Sequence, residues 1–387
     1  MSHTPSVRIA GEAVDEFALD LVTIRNGRKN SRSAIEPTTC TLGIVWKSEA
    51  GAYDVQKLRL GALVEVDVTI EEIFGPSTIN RFTGAITDVT IGKNSAQVVA
   101  VTNVLARLAR CTFDASATSG IIPAVVQDLF DEIVAQNPNL GITLNAAHGL
   151  ENQISVDLEV ETGANALEAL QKAISADPAA FLYEEPATQT IVLRTGANRL
   201  VTGIVTSLLI TEEAVIDNFR IRRSVASRVN RATVKWTGGT ETADYAPSLA
   251  QFGPYPRQVE TRIDNDTDAA LVAQRIINAG SGNGWEIESI SVEVPLITSI
   301  STFLFFLQLN INRSVILPNL GSEVPEFPGR VWLEGWDETI SRARWTLDLH
   351  ITDPLLVGWP QLWNETISKW VDVAGTITWA DLQVERI

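Results

Sequence analysis

The sequence predicts a mainly β protein with α+β character, in which two β regions flank a small α+β segment. Three observations predict it. Alternating or β-branched runs dominate residues 7–104, the apolar period lengthens from two toward about 3.6 between residues 111 and 200, and alternating runs return from residue 217 onward. At 387 residues the chain exceeds what one core usually organises, so two or more domains of roughly 100–200 residues are expected.

The first region contains runs at 39–45, 64–70, 82–89 and 97–101, separated by Gly and Asn turns, and reads as a small barrel or sandwich. A short helix closes it over 103–110, where Val104, Leu105 and Leu108 share one face. This sets a first β domain over 1–110. In 119–136, Ile122, Val125, Val126, Leu129, Ile133 and Val134 form an apolar stripe at helical spacing, with Ser119 as N-cap and Pro123 in the first turn. A second helix over 164–176 uses Leu167, Leu170 and Ile174, capped by Thr162 or Asn165 and followed by Pro178. Runs 180–184 and 190–194 then make a hairpin across Pro186, completing an α+β domain over 111–200.

Further strands are expected at 217–223, 229–236, 286–294, 311–317, 330–334 and 345–351. A helix over 267–279 stops at Gly280-Ser281-Gly282-Asn283-Gly284. Together they make a second β domain over 201–352. The two β regions echo each other: Leu60-Gly61, Val64, Val66, then Phe82-x-Gly84-x-Ile86-x-Asp88, is loosely matched by 309–317 and Trp332-x-x-Gly335-x-Asp337. On pattern alone any two antiparallel meanders would echo this way; a duplication would supply two equivalent barrels. The final segment, 353–387, is rich in tryptophan: Trp359, Trp363, Trp370 and Trp379.

Composition bounds the function. A hydrophobic share of 45% and a charged share of 20% describe a globular chain. The net charge of −17 opposes a grip on nucleic acid or anionic lipid, and suits a basic partner or a passage that DNA crosses without sticking. Cys40 and Cys111 are too few for a disulfide framework and read as buried thiols. Met1 is followed by polar Ser2-His3-Thr4-Pro5, which is no secretory signal, so synthesis in a cytoplasm is expected. The most apolar stretch, 297–309, is interrupted by Thr and Ser and is far short of the ~20 residues that span a bilayer; it reads as a buried strand or interface element.

No catalytic constellation emerges. His3, His148 and His350 are far apart in sequence and lie in no metal motif, and His350 sits in an alternating strand as a structural imidazole. Asp264-Asn265-Asp266-Thr267-Asp268 opens like a calcium loop, but Ala269 replaces the required Gly and Arg275 the bidentate Glu. These acidic residues read as a helix cap. Gly280–284 follows a helix rather than opening one, so it does not cradle phosphate, and there is no G-x-S-x-G elbow. Nothing here calls for a metal or another cofactor. The C-terminal tryptophans read as interface anchors.

Several segments, in order, resemble the hub proteins of long phage tails, a family also seen in contractile-tail baseplates. Ile24-Arg25-Asn26-Gly27-Arg28 before Thr38-Thr39-Cys40-Thr41-Leu42 is similar to the family's opening turn and strand. Leu60-Gly61 with Val64-Glu65-Val66, and Phe82-Thr83-Gly84-Ala85-Ile86-Thr87-Asp88, resemble its barrel strands. Val229-Asn230-Arg231-Ala232-Thr233-Val234, then Ser248-Leu249-Ala250-Gln251-Phe252-Gly253, then 268–277, resemble its central succession. Leu333-Glu334-Gly335-Trp336-Asp337-Glu338 with Trp345-Thr346-Leu347-Asp348-Leu349 is similar to its closing hairpin.

The resemblance covers nearly the whole chain. It implies a non-enzymatic homo-trimer whose two tail-tube-like β-barrels per chain make a pseudo-sixfold ring around the DNA path. Its neighbours would be tail tube and distal tail proteins, the tape-measure protein and other tip or fibre proteins. DNA would pass without sequence-specific binding, and the place implied is the virion tail tip after synthesis in the host cytoplasm. Many relatives continue into a peptidoglycan-cleaving or fibre-like domain; this sequence ends at Ile387, so a wall hydrolase is expected to be a separate protein. Two other readings stand beside this one. The chain is a tail adaptor or receptor-binding component with glycan affinity in the C-terminal tryptophans, or a wall hydrolase that uses two of its 47 carboxylates.

Overall fold

The structure, a computed structural model, describes residues 3–14, 19–29, 36–45, 58–72, 75–115, 117–146, 154–185, 189–196, 207–209, 220–223, 228–281, 285–296, 314–316 and 330–352. The first β region forms β1 (His3–Ile9), β2 (Glu12–Ala13), β3 (Leu19–Gly27), β4 (Thr39–Val45), β5 (Leu63–Glu72), β6 (Gly75–Ile91) and β7 (Ser95–Val101). After α1 (Asn103–Leu108) come β8 (Thr112–Phe113), β9 (Thr118–Ile121), α2 (Ile122–Gln136), β10 (Thr143–Ala146), β11 (Ser155–Leu158), β12 (Ala164–Asn165), α3 (Ala166–Ile174), β13 (Phe181–Glu185) and β14 (Thr190–Arg194). The remainder forms β15 (Ser207–Leu209), β16 (Arg220–Arg223), β17 (Arg231–Trp236), β18 (Gly239–Asp244), α4 (Ala246–Phe252), β19 (Pro256–Glu260), α5 (Asp266–Ser281), β20 (Trp285–Glu293), β21 (Ser314–Ile316), β22 (Arg330–Ile340) and β23 (Trp345–Thr352). The 297–309 stretch and the 353–387 segment lie outside the described residues.

The protein is mainly β, as expected; among the described residues its two β regions form no closed barrel. Among the described residues one sheet runs β16-β20-β23-β22-β3-β4-β7-β6-β5-β1-β2, with β21 beside β22 and β15 beside β21. The path stays open, and it passes from one β region to the other where β22 pairs antiparallel with β3, from Gly335↔Gly27 to Ile340↔Val22. The physical reason is edge satisfaction. Separately, β3 and β22 would each present a row of unpaired N–H and C=O groups, and pairing them removes both edges.

Alternation then decides which side chains meet. Val22 and Ile24 of β3, Cys40, Leu42 and Ile44 of β4, Val98 and Ala100 of β7, and Trp336 and Ile340 of β22 are buried in one core. Val7 and Ile9 of β1, Val64, Val66, Val68 and Ile70 of β5, Val292 of β20 and Trp345 and Leu347 of β23 share it. For strands so far apart in the path to share a core, the sheet must fold back on itself. Side-chain contacts confirm that it does: Arg81 of β6 reaches Glu338 of β22, and the His3 ring of β1 lies 5.5 Å from the Trp345 ring of β23.

A second core is built from the stripe of α2 (Val125, Val126, Leu129, Ile133), α3, and α5 with Ala232 and Val234 of β17. The β17 strand belongs to a three-stranded sheet, β18-β17-β19, on which α5 lies. The expected hairpin of β13 and β14 forms the wall between the cores. Phe181, Tyr183 and Val192 face the first, while Leu182, Ile191 and Leu193 face the second. A strand buried on both faces needs a continuous apolar run, which is what 181–183 supplies.

Helix ends follow local chemistry with one difference. Asn165 caps α3 as expected, its side chain accepting from the Glu168 N–H. Ser119 does not cap α2; it pairs within β9 against Asp157, and the helix starts at Ile122 with Pro123 in its first turn. The acidic start of α5 is capped through Asn265, whose Oδ1 accepts from the Asp268 N–H at 2.8 Å, while Asp268 Oδ2 accepts from Ser155 N. No helix among the described residues is long and apolar enough to cross a membrane.

Candidate functional site

The place where the chain's motifs converge is the junction of β3 and β22. Gly27 and Gly335 are directly opposed there. Gly27 sits at φ +76°, and a Cβ on it would lie 2.3 Å from the Glu334 carbonyl oxygen. A Cβ on Gly335 would lie 2.2 Å from the Asn26 carbonyl oxygen. Only two residues without side chains let these backbones come so close.

Charged side chains then clamp the ladder near its Gly27–Gly335 end. Arg28 Nε donates to Glu334 Oε2 at 2.7 Å, with both side chains buried, and the Arg28 backbone N–H donates to the Glu334 carbonyl. The Arg28 guanidinium also lies 4.6 Å over the Phe181 ring, which ties the junction to β13. On the outer face Arg25 Nε donates to Asp337 Oδ1 at 2.9 Å, and His350 Nε2 lies 3.4 Å from Asp337 Oδ2. Burial pushes the Asp337 carboxyl up, but the hydrogen bonds from His350 and Arg25 outweigh it and hold the group below the usual carboxylate range. His350 is thus the structural imidazole expected from the sequence.

Deeper in the first core, Arg81 grips Glu338 with Nε at 2.9 Å and Nη2 at 2.7 Å, and the Trp345 indole N–H donates to Glu338 Oε1 at 2.7 Å. Burial, with the Glu338 charge beside it, pushes the Cys40 thiol far above its ordinary value, so it stays protonated and inert. Cys40 is buried as expected, whereas Cys111 is only half-buried. His3 Nε2 donates to the Ser341 carbonyl at 2.8 Å, holding β1 against the β22–β23 turn.

Buried polar staples join the remaining pieces. Glu184 accepts from Thr38 N, from the Thr102 hydroxyl and from Leu105 N. It thereby satisfies the first turn of α1, which has no cap of its own. Asp177 accepts from Arg275 Nη1, Ala179 N and Gly196 N. Asn230 donates to Ser248 Oγ and the Gly253 carbonyl and accepts from Tyr255 N at 2.6 Å. Asn230, Ser248 and Gly253, separate in sequence, are therefore one cluster in space.

The arrangement is built of ion pairs and hydrogen bonds between buried groups. Glu334 and Glu338 are each occupied by a guanidinium, and among the described residues no group of three or more His, Cys, Asp and Glu is placed to hold a metal ion. The partners of Glu334 and Glu338, Arg28 and Arg81, lie more than 250 residues away in sequence, where no local pattern links them. The available signal was a charged residue at an inward position: Trp336, Glu338 and Ile340 alternate onto the apolar face, so Glu338 requires a buried cation. Trp359, Trp363, Trp370 and Trp379, the expected interface residues, and His148 lie outside the described residues.

Solved structures resemble the overall fold. The crystal structure of the 43 kDa tail protein of prophage MuSo2 from Shewanella oneidensis matches over 92% of this chain and 98% of its own, with a TM-score of 0.60 and 14% identity. The chain has a phage tail protein's fold. A tail protein from Neisseria meningitidis MC58 matches over 91% of this chain and 97% of its own, with a TM-score of 0.59 and 14% identity. Protein-family models give no match, and neither do curated protein sequences.

Proposed function

We propose that the chain is a structural protein of a bacteriophage tail, acting as a hub at the tail tip or baseplate. The observation that carries this is the likeness of fold to two tail proteins, one of them from a prophage, over almost the full length of both partners. In this reading three copies form a ring, and the two β regions of each copy provide its pseudo-sixfold repeat around the DNA path. Tail tube and distal tail proteins sit on one side, and tip, fibre and tape-measure proteins meet the other. The tryptophans at 359, 363, 370 and 379 serve as anchors for those neighbours.

Two features support an assembly role over chemistry. The buried clamps hold two β regions in fixed relation, which a ring subunit needs. The outward positions of β4 and β7, namely Thr39, Thr41, Gly43, Val45, Ser95, Gln97, Val99 and Val101, carry no charge, a composition suited to lying against another protein. Light scattering of the purified chain over a range of concentrations, with negative-stain imaging, tests the reading. A particle of three chain masses with a ring outline is the expected result. A single chain at every concentration, with or without added tube protein, would overturn it.

A further inference from the structure

Among the described residues four carboxylates are buried: Asp177, Glu184, Glu334 and Glu338. Asp177, Glu334 and Glu338 each meet a guanidinium, from Arg275, Arg28 and Arg81 respectively. Among the same residues Glu184 is met by neutral donors alone: Thr38 N at 2.8 Å, Leu105 N at 3.0 Å and the Thr102 hydroxyl. A carboxylate buried without a cation is costly unless every donor stays in place, so it ties the positions of those donors together.

Asp177 and Glu184 stand at the two ends of one short stretch and reach to different parts of the molecule. At the first end Arg275 Nη1 brings in α5 at 2.9 Å, and the N–H groups of Ala179 and Gly196 complete the set around Asp177. The packing there is close, since a Cβ on Gly196 would lie 2.9 Å from the Ala179 Cβ and 3.1 Å from Arg275 Nη1. At the far end the Thr102 N–H donates to the Thr38 carbonyl, so Glu184 clasps the end of the β4–β7 ladder together with the start of α1. The Thr38 hydroxyl in turn donates to Asn26 Oδ1 at 3.1 Å. Between the two carboxylates, Phe181 carries the Arg28 guanidinium on its ring. Both routes end at the β3–β22 junction, to which Asn26 and Arg28 belong.

We propose that residues 177–184 are a coupling strut. A displacement of α5 passes through Arg275 and Asp177 to Phe181 and Glu184, and from them to the junction of the two β regions. The device needs a carboxylate at position 184. Both of its oxygens accept from backbone N–H groups that cannot turn round, so a glutamine amide would set its own N–H against one of them. The bonds to Asp177 and those to Glu184 share no partner, so independent staples would respond separately to substitution. Coupled staples respond together, and by the same factor in either direction. The coupling belongs to the single chain and does not depend on how copies assemble.

Native-state hydrogen exchange on the full chain tests this in wild type, Arg275→Met and Glu184→Gln, read at the amides of Arg28, Thr38, Leu105, Ala179 and Gly196. Amides of β5, which pairs only with β1 and β6, serve as the reference for global unfolding. In Arg275→Met, exchange at Arg28, Thr38 and Leu105 is expected to rise about fivefold or more over that reference, although Arg275 bonds to none of them. In Glu184→Gln the same rise is expected at Ala179 and Gly196. If each substitution speeds exchange only at its own staple, the two act independently and the strut proposal falls. Where a variant does not fold, wild type decides. Protection at Thr38 and Leu105 that agrees with that at Ala179 and Gly196 within about tenfold supports one shared opening, and a wider separation overturns it.

Discussion

Glu338 occupies a position where alternation demands an apolar side chain, and Arg81 and Trp345 supply what a buried carboxylate lacks. Removing one member of such a pair strands the other charge in the core, at a cost of about 3–5 kcal/mol. Arg81→Met should lower stability by that amount in denaturant titration, and Arg81→Met with Glu338→Leu should recover most of it. A single variant within about 1 kcal/mol of wild type would refute the account. Asp337 acts on the opposite face and through pH. Its folded pKa lies below the unfolded value, so its contribution is fully present above pH about 4 and is lost as pH falls through the lowered value. Stability measured from pH 6 down to 3 should therefore fall more steeply for wild type than for Asp337→Asn. Matching acid limbs would show that Arg25 and His350 do not act on Asp337 as described.

At the scale of elements, the decisive contact is β3 against β22. The paired glycines set its closeness, and their substitution should separate by local geometry. In Gly335→Ala the new methyl meets the Asn26 carbonyl at 2.2 Å, so the ladder must open, costing about 1–3 kcal/mol or more. Gly43→Ala, in β4 of the same sheet, meets nothing closer than 3.6 Å and should be tolerated. Thermal unfolding of the two variants compares them directly, and equal midpoints would contradict the close approach. Strand and helix identities were legible in the sequence here because period and caps are local. The stripe of α2, the Asn165 cap and the β13–β14 hairpin all appeared where spacing placed them. The start of α2 did not, because Ser119 found a strand partner in Asp157 that no local pattern announces.

For the whole molecule, the two β regions form one folded-back sheet, with a second core attached through β13 and β14. That organisation gives the assembly proposal its physical content, since a ring subunit must hold two β regions rigidly over a long sequence separation. Composition, charge and period by themselves determined a mainly β chain with an α+β part, the inward faces of its strands and the Asn165 cap, while Gly27 and Asn230 stood out only in segments that resemble phage-tail hub proteins. Tertiary structure alone decided that β22 pairs with β3, that Arg81 answers Glu338, and that β17 packs with α5 instead of joining the large sheet. Alternation states which side of a strand is buried, but every strand with an apolar face satisfies it equally well. The choice of partner is made only when backbone edges and buried charges from distant segments are satisfied together.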